Sequence, residues 1–158
     1  MFKSKRALFA AVVSERSPFV QIKGTVEIEP RSTIDEMLQS NVRIVLRTLR
    51  QNKEQYLVMM SDAWRQPKTR TLAYEASIKR GIGFLASVLS KLMDAGKIRR
   101  ADPEIVARTW MGAVQFYFLT TDMLGDGVPK PEEEDRMIRG MVSTFLDGMR
   151  PGQGGGQS

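Results

Sequence analysis

Residues 105–123 are apolar on nearly every side. Ile105, Val106, Trp110, Met111, Ala113, Val114, Phe116, Tyr117, Phe118, Leu119 and Met123 leave no wide polar stripe at helical spacing. A helix of that kind has to be covered all round. Residues 131–149 add Met137, Ile138, Met141, Val142, Phe145, Leu146 and Met149, a stripe broader than one packing contact uses. One small bundle has too little surface to cover both. The pattern therefore predicts a two-fold pairing in which two helices from each copy build a four-helix bundle. The expected interface residues are Gln115, Phe118, Leu119, Met123, Met137, Ile138, Met141, Val142 and Phe145.

Start and stop signals divide the rest of the chain into helices. Residues 5–16 have Ser4 as N-cap and Pro18 beyond their end. Residues 17–31 hold the one β-like stretch, Val20, Ile22, Val26 and Ile28, read as a loop because a lone hairpin has no sheet to join. Thr33 and Glu36 form a capping box for a helix over 33–51, with Arg43, Arg47 and Arg50 on one face and Met37, Leu38, Asn41, Val45 and Leu49 on another. Further helices are predicted over 53–65, ending before Pro67, and over 69–95, ending at Gly96. Asp102-Pro103-Glu104 starts the next, over 103–124, and Glu132–Asp135 load the first turn of the last, over 131–149. The sum is an all-α, six-helix bundle with a disordered Gly-rich tail at 151–158.

Composition removes several chemistries. The chain has no Cys and no His. That excludes disulfides, a thiolate nucleophile, Cys/His zinc sites and a Ser-His-Asp triad. No Ser-x-x-Lys occurs either. An enzyme would have to run on carboxylates, Lys or Tyr, and a non-enzyme is expected. No apolar run reaches membrane-spanning length and no signal peptide is read, so a cytoplasmic protein without membrane contact is expected. Residues 1–100 carry 19 Lys/Arg against 9 Asp/Glu, whereas residues 101–158 carry 5 against 9. The basic residues are dispersed, which reads as solvated helix faces.

Two stretches resemble a known family. Phe2-Lys3-Ser4-Lys5-Arg6-Ala7-Leu8 is similar to the junction after the recognition helix in tetracycline-repressor-type (TetR family) regulators. Leu92-Met93-Asp94-Ala95-Gly96-Lys97-Ile98-Arg99-Arg100-Ala101-Asp102-Pro103-Glu104-Ile105-Val106-Ala107 is similar to that family's turn between its two long C-terminal helices. The resemblance implies a TetR-like C-terminal body that dimerises through its last two helices, with residues 1–16 a remnant of the DNA-reading head and 17–150 the ligand-binding and dimerisation domain. It implies a transcriptional repressor whose DNA binding, in a longer parent carrying the helix-turn-helix, is relieved by a small ligand. Lys3, Ser4 and Lys5 would then lie near the DNA backbone.

The resemblance also implies an effector cavity among the middle helices, where Met37, Met59, Met60, Trp64, Tyr74, Trp110, Met111, Val114 and Tyr117 are candidate ligand contacts. Met adapts to irregular shapes and aromatic rings line small-molecule pockets, so an apolar or aromatic effector is expected. Tyr74, Tyr117, Gln115 and Asp62 are candidate polar handles; the same residues also suit a packed core. Gly81-Ile82-Gly83-Phe84-Leu85-Ala86 matches a nucleotide fingerprint only superficially, having no strand before it. The two glycines suit close packing or a bend. The acidic run Glu132–Asp135 suits helix-end electrostatics, since consecutive helical carboxylates diverge; no metal and no cofactor is expected. The alternative reading is a helical dimer that acts as an interaction module and blocks a full-length regulator.

Overall fold

The computed structural model describes residues 33–151, and these are helical throughout apart from short connections. The predicted helix over 5–16, the loop after it, the backbone-contact residues Lys3, Ser4 and Lys5, and most of the tail lie outside the described residues. Five continuous helices remain. They are α1 (Ile34–Gln51), α2 (Lys53–Arg65), α3 (Pro67–Ala73, a π-helical turn Tyr74–Ile78, then Lys79–Asp94), α4 (Pro103–Phe118 with a π-helical turn Leu119–Met123) and α5 (Pro131–Met149).

The helix starts follow from local chemistry. Thr33 Oγ1 accepts from the Glu36 amide at 3.2 Å while Glu36 Oε2 accepts from the Thr33 amide at 3.0 Å, so two orphan donors are satisfied reciprocally. Asp102 Oδ1 accepts from the Glu104 and Ile105 amides at the head of α4, at 2.9 and 3.2 Å. At the far end of α3, Gly96 sits at φ 70° and the Lys97 amide bonds back to the Leu92 carbonyl at 2.9 Å. That is the left-handed stop the sequence signals. The third predicted helix boundary shifts slightly: Pro67 does not merely end α2 but occupies the first turn of α3, where its missing N–H costs nothing.

Apolar spacing sets the packing. Leu38, Val42, Val45, Leu46 and Leu49 form the inner face of α1, and Ile138, Val142, Leu146 and Met149 that of α5. They join Val106, Ala107, Trp110, Val114, Tyr117 and Phe118 of α4, together with Ile82, Leu89, Leu92 and Met93 of α3, in one core. The α3–α4 turn is tied to the end of α5: the Arg99 amide donates to the Met149 carbonyl and Arg99 Nε to the Gly148 carbonyl, both at 2.7 Å. Helix α2 is the outlier. It buries no residue.

Two glycines make opposite predictions. A Cβ on Gly125 would lie 2.7 Å from the carbonyl oxygens of Thr120 and Thr121. Backbone cannot yield cheaply, so Gly125→Ala is expected to lower unfolding free energy by about 1–3 kcal/mol in urea titration. Gly83 is exposed in mid-helix, and a Cβ there meets nothing within 4 Å. Gly83→Ala should raise stability by about 0.5–1 kcal/mol in the same titration.

Candidate functional site

The outer side of α4 and α5 carries an uncovered apolar surface over the core. On α4, Ile105, Thr109, Ala113 and Phe116 follow each other at helical spacing and are exposed, Ile105 at 63% and Phe116 at 66%. On α5, Met137, Gly140, Thr144 and Gly148 are likewise exposed, Met137 at 42%, with Met141 half-buried among them. Between the two helices runs an open groove of about 910 Å³, floored by Val106, Trp110, Phe145 and Met149. Arg99 and Asp102 stand at one end, and Arg136 also lines it.

This surface divides the predicted interface residues. Met137, Met141 and Phe145 line the groove. Leu119 is exposed and Met123 half-buried. Phe118, Ile138 and Val142, expected at the interface, are instead sealed in the protomer's own core. Gln115 also turns away, its Oε1 accepting from the Tyr56 hydroxyl of α2 at 3.3 Å. Ile105, Thr109, Ala113, Phe116, Gly140, Thr144 and Gly148 lie on the same outer face and were not among the predicted residues. Splitting the all-apolar α4 into two faces finds its share: Val106, Trp110, Val114 and Tyr117 repeat as the core set, and Ile105, Thr109, Ala113 and Phe116 as the outer one.

The nine candidate ligand contacts do not converge. Trp110, Val114 and Tyr117 are buried, and Met37 and Met111 pack against the same core. Met59 is half-buried on α2. Met60, Tyr74 and Trp64 face solvent, Trp64 at 86% exposure. The cause is the position of α2, which rests on the start of α3 rather than entering the core. Trp110 looks the other way, onto the α4–α5 groove; its ring lies 4.7 Å from that of Phe145 and its Nε1 donates to Asn41 Oδ1 at 3.2 Å. Of the polar handles, Tyr74 accepts from Arg108 at 3.2 Å, Asp62 is half-buried, and Tyr117 holds a buried hydroxyl with no partner among the described residues. Burial, first of all, raises the Tyr117 pKa above that of an ordinary phenol, as it does for Tyr56.

A charged cluster lies on the opposite side, where α1, α4 and α5 meet. Arg50 reaches Asp122 through Nε at 2.6 Å and Glu134 through Nη2 at 2.6 Å, each in a two-pronged contact. Asp122 is 3% exposed, and the Lys53 ammonium donates to its carbonyl. Burial alone would lower the Arg50 pKa, but the two carboxylates more than offset it and hold it above the ordinary value. A second pair, Arg43–Asp135 at 2.7 Å, runs beside it. Glu134 and Asp135 are thus committed to arginines of α1. Among the described residues no group of three acids could hold a metal ion.

The comparisons with known proteins concern the same residues. A model of the C-terminal domain of AefR-like transcriptional repressors, of TetR type, matches residues 36–148. The chain belongs to this family. A crystal structure of a TetR-family transcriptional regulator from Mesorhizobium loti MAFF303099 is similar at 22% identity and a TM-score of 0.78, covering 94% of this chain and 77% of that one. At that identity the likeness speaks for the fold alone. Among curated proteins, none matches the sequence. The TetR-type C-terminal domain is therefore what α1 to α5 build, and a transcriptional regulator is the coarse function that goes with it. No described helix is long and apolar enough to cross a membrane.

Proposed function

We propose that this chain forms the ligand-sensing and dimerisation body of a TetR-type repressor, whose DNA binding is relieved by a small apolar or aromatic effector. The observation that carries the pairing half is the uncovered face of α4 and α5, where Ile105, Phe116 and Met137 stand in solvent beside an apolar groove. Exposed surface of this kind marks an interaction site in a soluble protein. The sensing half is supported by the buried Tyr117 hydroxyl, which has no partner among the described residues, and by the half-buried Met111 on the same helix. Thioethers reshape around a guest at little cost.

In this reading the effector shifts the population between two arrangements of the body, and the DNA-reading heads of the repressor follow. A thermal-shift screen of planar aromatic and medium-chain apolar compounds tests it. At least one compound should raise the melting temperature in a dose-dependent way, and Met111→Ala or Tyr117→Phe should weaken that shift. A panel that leaves the melting temperature unmoved contradicts the sensing half.

A further inference from the structure

Burial changes abruptly along α3. After its π-helical turn, Lys79–Asp94 buries Gly81, Ile82, Leu89, Leu92 and Met93 and packs along α4. Before the turn, Pro67–Ala73 buries Ala73 alone and packs against α2, which buries nothing. Backbone bonds run on through the corner between α2 and α3, from the Gln66 amide to the Asp62 carbonyl at 2.8 Å and from the Arg70 amide to the Gln66 carbonyl at 3.0 Å. Residues 53–73 are therefore one body. It joins the core at two places. One is Asn52, where the backbone leaves helical geometry at φ −115°. The other is the turn Tyr74–Ile78, and helices bend at π-helical turns.

Few contacts hold this body down. The Lys53 ammonium donates to the Asp122 carbonyl, at the end of α4 where the last carbonyls lack helical partners. The Tyr56 hydroxyl donates to Gln115 Oε1 at 3.3 Å, and its ring meets that of Phe118 edge-on at 5.8 Å. Beside the turn itself, Arg108 donates to the Tyr74 hydroxyl at 3.2 Å. Tyr56, Met59 and Ala63 form one row of α2 at helical spacing, and all three are only half-buried. Gln115 is half-buried opposite Tyr56, with the half-buried Met111 one turn back on the same face of α4.

We propose that residues 53–73 are a lid that swings about Asn52 and the turn Tyr74–Ile78, and that a hydroxyl compound with an apolar body enters beneath it, between Tyr56 and Gln115. The inference rests on the sensing half of the proposed function and adds the moving part and the chemistry of the guest. Parting Tyr56 from Gln115 strands a donor and an acceptor. A hydroxyl group satisfies both at once, accepting from Tyr56 and donating to Gln115. The apolar body then lies against the thioethers of Met59 and Met111. An element with so little burial opens at a small free-energy cost.

Distances between paired spin labels test this in the full chain, which has no Cys of its own. Labels at the exposed positions Ser61→Cys and Lys91→Cys straddle the turn. The controls are Ser61→Cys with Thr71→Cys, both on the lid, and Arg47→Cys with Lys91→Cys, both on the core, all exposed. Diluting labelled chain into excess unlabelled chain keeps each distance within one copy. The straddling pair should show more than one distance and each control pair a single one. Tyr56→Phe and Lys53→Met, checked for folding by circular dichroism, should each raise the ratio of open to closed lid by about 3–10-fold, as the loss of one hydrogen bond implies. 2-Naphthol should shift the straddling distance, and naphthalene, the same rings without the hydroxyl, should need about 10-fold more for the same shift. A single straddling distance that neither substitution moves overturns the lid. Equal responses to the two compounds overturn the hydroxyl site and leave the lid standing. A lid that moves but responds to neither compound overturns entry beneath it, and the thermal-shift screen on the same chain then shows separately whether sensing stands.

Discussion

Alanine at Trp110 is expected to lower the free energy of unfolding by about 3–5 kcal/mol. The indole is 2% exposed, packs against Phe145 and is tethered through Nε1 to Asn41. Truncation removes most of a buried side chain, and α4 and α5 are held by too many other core contacts to collapse into the space. It also leaves the Asn41 carbonyl oxygen without its donor, which adds to the loss. Trp110→Phe should fall between, keeping ring packing but not the tether. Urea titration at one fixed protein concentration measures this, followed by circular dichroism. The two tryptophans separate well in the wild type, because Trp64 is already in solvent and Trp110 alone should report unfolding by fluorescence. A loss under about 1 kcal/mol would contradict the placement of Trp110 at the junction of α1, α4 and α5.

Arg50→Met should cost about 3–5 kcal/mol, because it strands Asp122 in the interior with no partner for its charge. Glu134 is less buried and reaches water more easily, so the larger share comes from Asp122. Burial of a pair is not itself a guarantee of net stability, since desolvation offsets the attraction. The double variant Arg50→Met, Asp122→Leu is therefore expected to recover much of the loss. Matched denaturation curves for the wild type, the single and the double decide it. Recovery supports a clamp whose value lies in fixing α1 against the α4–α5 corner. A single variant as stable as the wild type would contradict the buried contact.

The fold was legible where the chain punctuates itself. Thr33 with Glu36, Asp102 with Pro103, and Gly96 each marked a helix end that the structure repeats, since caps depend on neighbours within a few residues. The π-helical turns at Tyr74–Ile78 and Leu119–Met123 left no such mark. One extra residue in a turn depends on what the helix packs against, which spacing along the chain does not encode. The arginines of α1 show the same limit. Arg43, Arg47 and Arg50 read as a solvated face, yet two of them pair with acids some 70 to 90 positions away. Spacing within a helix cannot show a partner on another helix.

The candidate site was legible in class and blurred in detail. That α4 and α5 carry more apolar surface than the protomer covers follows from composition alone. Which residues stay outside depends on how α4 is rotated, so Phe118, Ile138 and Val142 went inward while Ile105 and Phe116 stayed out. The Met and aromatic residues of α2 were harder still. Met60 and Trp64 look like lining by residue type, but α2 lies on the rim and presents them to solvent.

The pairing face is tested most directly by molar mass. Light scattering on the purified chain, across a range from low to high micromolar, should give twice the 17.8 kDa of one copy, with Phe116→Glu shifting it to a single folded copy. A wild-type chain that holds at 17.8 kDa throughout would contradict the account.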